Sequence, residues 1–180
     1  MDNALQPSER YMHAFSVMPK VRFETQEQDE QVFLILRAHP ITQIPWLLNT
    51  LFGLIILIIM NFVLPNFLGV NQLLFLNIMV IVFLISYVWL NFLLYFYNVG
   101  IVTNKRILDI DFYSILYREV TETRLSKVED ITSRTAGFFG SLFNFGHVHV
   151  QTAGTETNIE FLNVPDPSMA VRIINNLLPR

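Results

Sequence analysis

The sequence contains no cysteine. Disulfides, thiolate metal sites and cysteine nucleophiles are therefore excluded. An excess of basic charge is also missing. The 12 Lys and Arg stand against 15 Asp and Glu, a formal net charge of −3. Nothing in that balance points to nucleic acid or to a polybasic lipid anchor. No phosphate-binding loop, nucleophile elbow or zinc-protease helix occurs in the 180 residues.

The most informative absence is local. From Ala38 to Asn104 there is no Asp, Glu, Lys or Arg; Arg37 is the last charge before this stretch and Lys105 the first after it. Within it lie two apolar runs, Pro45 to Leu64 and Leu73 to Tyr97, joined by PNFLGVNQ. Twenty helical residues rise about 30 Å, the thickness of a bilayer's hydrocarbon core. The first run meets that length and the second exceeds it, which a tilt accommodates. Two spans are expected, at about 45–64 and 72–97, within a hairpin over 44–97. A pair of buried soluble helices is the alternative. The first run begins past residue 40, lacks a small-residue cleavage site and is followed at once by a second run, unlike a signal peptide.

The cations flanking the hairpin are Arg10, Lys20, Arg22 and Arg37 on one side, Lys105 and Arg106 on the other. The connecting loop carries none. By the positive-inside rule both termini are cytoplasmic, in a multi-pass protein of the plasma membrane. Trp46, Tyr95 and Tyr97 suit an interfacial belt on that same side. Asn49, Asn61, Asn77, Ser86 and Asn91 are expected to face the partner helix and hydrogen-bond there. The hairpin holds no ionisable group of the kind a transport pathway uses.

Residues 1–43 form an N-terminal arm and pre-membrane segment. The first twenty residues show no sustained period, and a mobile arm is expected. VFLIL at 32–36 is either a short helix or a strand added to a nearby sheet, because a run of five cannot be assigned by period. After the hairpin, residues 98–180 alternate with a period of two, as in RILDIDF, with turn signals at short intervals and one turn at Asn104. The last element differs. Asp166 can cap a helix, Pro167 can take its first position, and Ala170, Val171, Ile174, Leu177 and Leu178 then share one face. About seven strands closed into an antiparallel barrel, with one C-terminal helix plugging an end, are expected.

VTNKRIL at 102–108, LSKVEDI at 125–131, GFFGSLFNFGHVHVQTAG at 137–154 and the VPDP-plus-helix ending from Val164 carry a resemblance. With these residues the segment 90–180 resembles the bacterial pleckstrin-homology (PH)-like domain of the second type, as in YdbS-like membrane-flanked proteins. Gly137, Gly140, Gly146 and Gly154 match the spacing of that family, with Pro165, Asp166 and Pro167 at its ending. The resemblance implies a PH-like barrel capped by one helix, with an apolar hairpin before it. It implies no settled activity, and fold alone does not supply one.

Candidate sites are sparse. Lys105 and Arg106 lie at the turn where eukaryotic pleckstrin domains hold phosphoinositides; with Arg37 they are candidate lipid or partner contacts. Over residues 98–180 eight Lys and Arg face nine Asp and Glu, so no basic face is evident. His147 and His149, two apart on one strand face, can begin a metal site but need a third ligand. Asp109 with Asp111, expected on the wet face, and Glu129 with Asp130, on opposite faces, do not form a carboxylate dyad. Phe138, Phe139, Phe143 and Phe145 are expected to pack on the barrel or against the inner leaflet, because four exposed phenylalanines invite aggregation. The expectation is a non-enzymatic membrane protein that holds a binding or scaffold domain at the inner membrane face. No metal, cofactor or nucleic acid is expected. The partners are the bilayer and another membrane or cytosolic protein docking on an exposed strand edge, with homo-oligomerisation open. The alternative is a lipid-sensing or membrane-stress module reading anionic headgroups.

Overall fold

The computed structural model describes residues 14–112, 114, 117–154 and 158–179. They form two units. One gathers the residues up to Pro40 with those from Phe96 onward; the other is Ile41–Tyr95.

The second unit is a helical hairpin. Helix α1 spans Ile44–Val63 and α2 spans Val70–Tyr97. Pro45 opens α1, where its missing N–H costs nothing. Both helices are long and apolar enough to cross a membrane, and neither buries any residue. Asn61 and Asn77 bind each other through both amides, at 2.8 and 3.0 Å. Asn49 reaches the Tyr87 hydroxyl at 3.4 Å, whereas Asn91 turns back to the Tyr87 carbonyl of its own helix. Close approach between the helices falls at Gly53, where a Cβ would lie 2.6 Å from a Leu84 methyl.

Among the described residues the first unit holds eight strands in two sheets. Strands β1 (Phe15–Val17), β2 (Val32–Leu36), β3 (Val99–Thr103), β4 (Arg106–Phe112) and β5 (Arg118–Arg124) pair in that order, every neighbour antiparallel. Strands β6 (Val128–Thr135), β7 (Phe145–Thr152) and β8 (Ile159–Pro165) make a second antiparallel sheet. A short helix, α3 (Gly137–Phe143), interrupts the chain between β6 and β7, and α4 (Pro167–Leu177) follows β8.

Three expectations are corrected here. The sheets are open, five strands and three, rather than closed into a barrel. Strand β5 ends one sheet and β6 begins the other, so the local turn pattern was readable but the pairing was not. Among the described residues six strands lie after the hairpin, against the seven or so expected, and two more come from before it. VFLIL, open between helix and strand, is β2 and pairs with β3 across the whole hairpin, Leu36 opposite Gly100. Residues 14–40 thus belong to the sheet unit, with β1 on its edge; the earlier part of the expected mobile arm lies outside the described residues.

The main core lies between the sheets and α4. Leu34, Leu36, Val102 and Ile107 from one sheet meet Val148, Val150, Ile159 and Phe161 from the other, with Ala170, Ile173 and Ile174 of α4. The Phe161 ring rests on Gly100, where a Cβ would stand 2.3 Å from it. The far face of the five-stranded sheet carries a second cluster. Val32, Ile35, Ile101 and Leu108 are covered there by Val21 and Phe23. The ending behaves as its residues dictate: the Asp166 carboxylate accepts the Met169 N–H and Pro167 takes the first turn of α4.

Candidate functional site

Three surfaces of the sheet unit carry chemistry. The first is the β3–β4 turn. It borders a cavity of about 680 Å³ lined by Glu27, Lys105, Arg106, Glu122, Thr123, Arg124 and Lys127. Lys105 and Arg106 both meet carboxylates of the chain itself. Lys105 Nζ lies 2.7 Å from Glu27 in an exposed pair. Arg106 places Nε 3.0 Å and Nη2 3.1 Å from the two oxygens of Glu30, and Nη1 2.8 Å from Glu122. The Glu30 side chain is fully buried. It also accepts the Glu27 N–H at 3.0 Å and hydrogen-bonds the Thr103 hydroxyl at 2.8 Å. Burial pushes the Glu30 carboxyl up, but the bonds from Arg106, the Glu27 amide and Thr103 together outweigh it and hold it below the usual range. A planar guanidinium gripping a planar carboxylate at two points fixes orientation as well as charge. Arg106 Nη2 also donates to the Thr25 carbonyl at 2.6 Å. The acidic loop before β2 is thereby clamped on the turn.

The second surface is a cleft of about 230 Å³ bordered by Arg37, Asp109, Asp111 and Glu160. The expected wet face for Asp109 and Asp111 is corrected. Alternation puts them on the side of Ile107, whose side chain is in the core between the sheets. Their face is covered because β8 crosses it, with Phe161 over Gly100, the cross-strand neighbour of Asp109. Burial, then the nearby carboxylates of Asp111 and Glu119, push Asp109 up to about 7. Asp111, opposite Glu119 on β5, is raised by the same two causes, burial first. Arg37, at the rim, lays its guanidinium over the Phe96 ring at 5.2 Å.

The third surface is α3. Of the two places expected for the four phenylalanines, packing on the domain is corrected for three of them; the inner leaflet stays open. Phe138, Phe139 and Phe143 are exposed, with Leu142 beside them, and only Phe145, on β7, is buried. The segment is a helix whose inward residue is Gly140, so there is no side chain on that side to draw the rings under.

A family model described as "Bacterial PH domain" matches residues 41–178. The chain belongs to the bacterial PH domain family. The match takes in the hairpin and begins after β2. A crystal structure of a DUF1696 family protein with a pleckstrin-homology domain, from Shewanella loihica PV-4, is 16% identical, with a TM-score of 0.36 over 45% of this chain and 70% of that one. So distant a likeness adds nothing to the assignment. No curated protein matches.

The glycines that carried the resemblance have separate places in this PH domain. Gly140 and Gly146 sit where backbone meets backbone: a Cβ would come within 2.7 Å of the Phe145 carbonyl at the first and 2.2 Å of the Arg134 carbonyl at the second. Gly137 opens α3 and Gly154 follows β7. Pro165 ends β8, and Asp166 and Pro167 start α4.

The remaining candidates are dispersed. His149 Nε2 stands 3.3 Å from Glu160, and His147 Nδ1 accepts the Asn163 N–H at 3.4 Å. Among the described residues no three His, Cys, Asp or Glu gather as a metal set. Glu129 and Asp130 are both exposed on β6. Sequence reasoning missed Glu27, Glu30 and Thr103. The available signal was the acidic run ETQEQDE, opposite in sign to Lys105 and Arg106, but its partner lies more than seventy residues away.

Proposed function

We propose that the chain is an integral protein of the plasma membrane whose hairpin anchors a PH-like binding domain at the cytoplasmic face. The observation that carries this is the surface of α1 and α2: two uncharged helices with apolar side chains exposed all round, from Leu48 and Phe52 to Phe75 and Phe83. Water is a poor solvent for such a surface and hydrocarbon a good one. The hairpin is inserted between the paired strands β2 and β3, so two covalent links tie the domain to it. Domains of the PH type are typically binding modules rather than catalysts. The partner is another protein. Strand β5, seven residues and largely exposed, is the open edge of its sheet and can accept an added strand.

The absence of cysteine makes topology directly measurable. Single cysteines at Thr132 and at Asn66 should react with a membrane-impermeant maleimide from opposite sides of sealed membranes, Thr132 from the cytoplasmic side. Reaction of both from one side, or release of the chain by alkaline carbonate, would overturn the anchor. A photo-reactive side chain at Val120 should form protein adducts in native membranes; adducts with lipid alone would remove the protein partner.

A further inference from the structure

Helix α3 turns its apolar side chains away from the domain that holds it. At about 100° per residue, Gly140 points inward, Phe138 and Leu142 lie nearly opposite it, Phe139 lies on the flank, and Phe143 lies about 60° from it. They are 77%, 65%, 63% and 43% exposed. The Phe138 and Phe139 rings meet edge to face, their centroids 5.6 Å apart, on the outside. The helix is braced at both ends. The Gly140 N–H bonds the Ala136 carbonyl, and Asn144, in the left-handed region, donates its N–H to the Gly140 carbonyl. From Ile131 to Thr155 the chain has no Asp or Glu, and Arg134 is its one formal charge.

We propose that α3 is a membrane-interface wedge: its four apolar side chains enter the headgroup–acyl boundary of an anionic bilayer, the one that holds the hairpin. This deepens the anchor reading above and rests on it. Three observations favour a lipid surface over a protein. A segment without Asp or Glu, carrying Arg134, does not itself repel anionic headgroups. Four side chains on seven residues are far short of the roughly 800 Å² per partner that a stable protein interface buries, whereas an interface helix needs no shape-matched partner. The tether also removes any need for high affinity. Strand β3 begins at Val99, just after α2 ends at Tyr97, so the domain is held at high local concentration beside the bilayer. A weak wedge then orients the domain, leaving β5 to its partner.

The test uses the full chain in vesicles of phosphatidylethanolamine and phosphatidylglycerol, with one fluorophore on a single cysteine at Leu142, Glu129 or Phe83. Iodide quenches from water, and lipids spin-labelled near the headgroup quench from the interface. The label at 142 should be several-fold less sensitive to iodide than at 129, and the spin-labelled lipid should quench it. Phe138→Ser with Phe139→Ser should return it to the behaviour of 129; both side chains are exposed, so folding is spared. Iodide sensitivity at 142 equal to that at 129 would overturn the wedge. Protection from both quenchers would also overturn it, by showing a second copy or another protein on α3. The label at 83, near the middle of α2, is read with lipids spin-labelled deep in the acyl chain and separates the two readings: deep quenching at 83 without interface quenching at 142 sinks the wedge alone, and no deep quenching at 83 sinks the anchor.

Discussion

Replacing Arg106 by Met would leave the Glu30 carboxylate in place with two of its four hydrogen bonds gone. Glu30 is fully buried and Arg106 mostly so, with side-chain exposures of 0% and 16%. Breaking a buried pair by removing one partner costs about 3–5 kcal/mol, because the remaining charge keeps its desolvation penalty and loses its compensation. Replacing both, as in Glu30→Leu with Arg106→Met, should cost less than the sum of the single changes. Lys105→Met is the control, since its pair with Glu27 lies in solvent. Tryptophan fluorescence would not report this site, because Trp46 and Trp89 both sit in the hairpin helices. Amide hydrogen exchange over β2 and β3, in micelles, reads it directly. Arg106→Met should speed exchange there by about two to three and a half orders of magnitude if opening governs the rate. The stabilisation should be present above the ordinary glutamate range and be lost as pH falls through the lowered value of folded Glu30. An increase below about ten-fold for Arg106→Met, or a double variant worse than the sum, would refute the clamp.

Three other outcomes follow from the same geometry. Asp109, pushed up to about 7, binds its proton more tightly folded than unfolded, so its ionisation subtracts stability as pH rises from about 4 toward 7. Asp109→Asn should remove that slope and stabilise the domain at pH 8 by on the order of 2 kcal/mol, measured as a thermal shift against pH. Gly146→Ala drives a Cβ into the Arg134 carbonyl and should cost about 1–3 kcal/mol or more, seen as faster exchange across β6 and β7. Asn61→Leu removes both hydrogen bonds to Asn77 and should weaken helix pairing by about 0.6–1.7 kcal/mol, read by energy transfer between labels on the two helices in vesicles.

The chain shows which features are legible locally. The turn at Asn104 and the Asp166–Pro167 start of α4 rest on a few adjacent residues and hold as read; of the face read for α4, Ala170 and Ile174 are buried, and Ile173, not on it, is buried with them. The glycine spacing was also visible, and its cause at Gly146 is a carbonyl twelve residues upstream. What misled were signals whose meaning depends on a distant partner. Alternation put Asp109 and Asp111 together on one face but not which face β8 would cross. Four phenylalanines were open between core and leaflet; Phe145 on β7 is core, and the three on α3 are exposed because Gly140 takes the inward position.

The two helices of the hairpin were determined by sequence alone, because two long apolar runs without a charge over sixty-odd residues form helices whatever the rest of the chain does. The sheet was decided only in three dimensions. β2 meets β3, Glu30 meets Arg106, and β5 stays an edge, each through contacts between segments separated by the hairpin or by a change of sheet. Hydrogen-bond pairing in a sheet joins backbones regardless of their distance along the chain, so no local pattern records it.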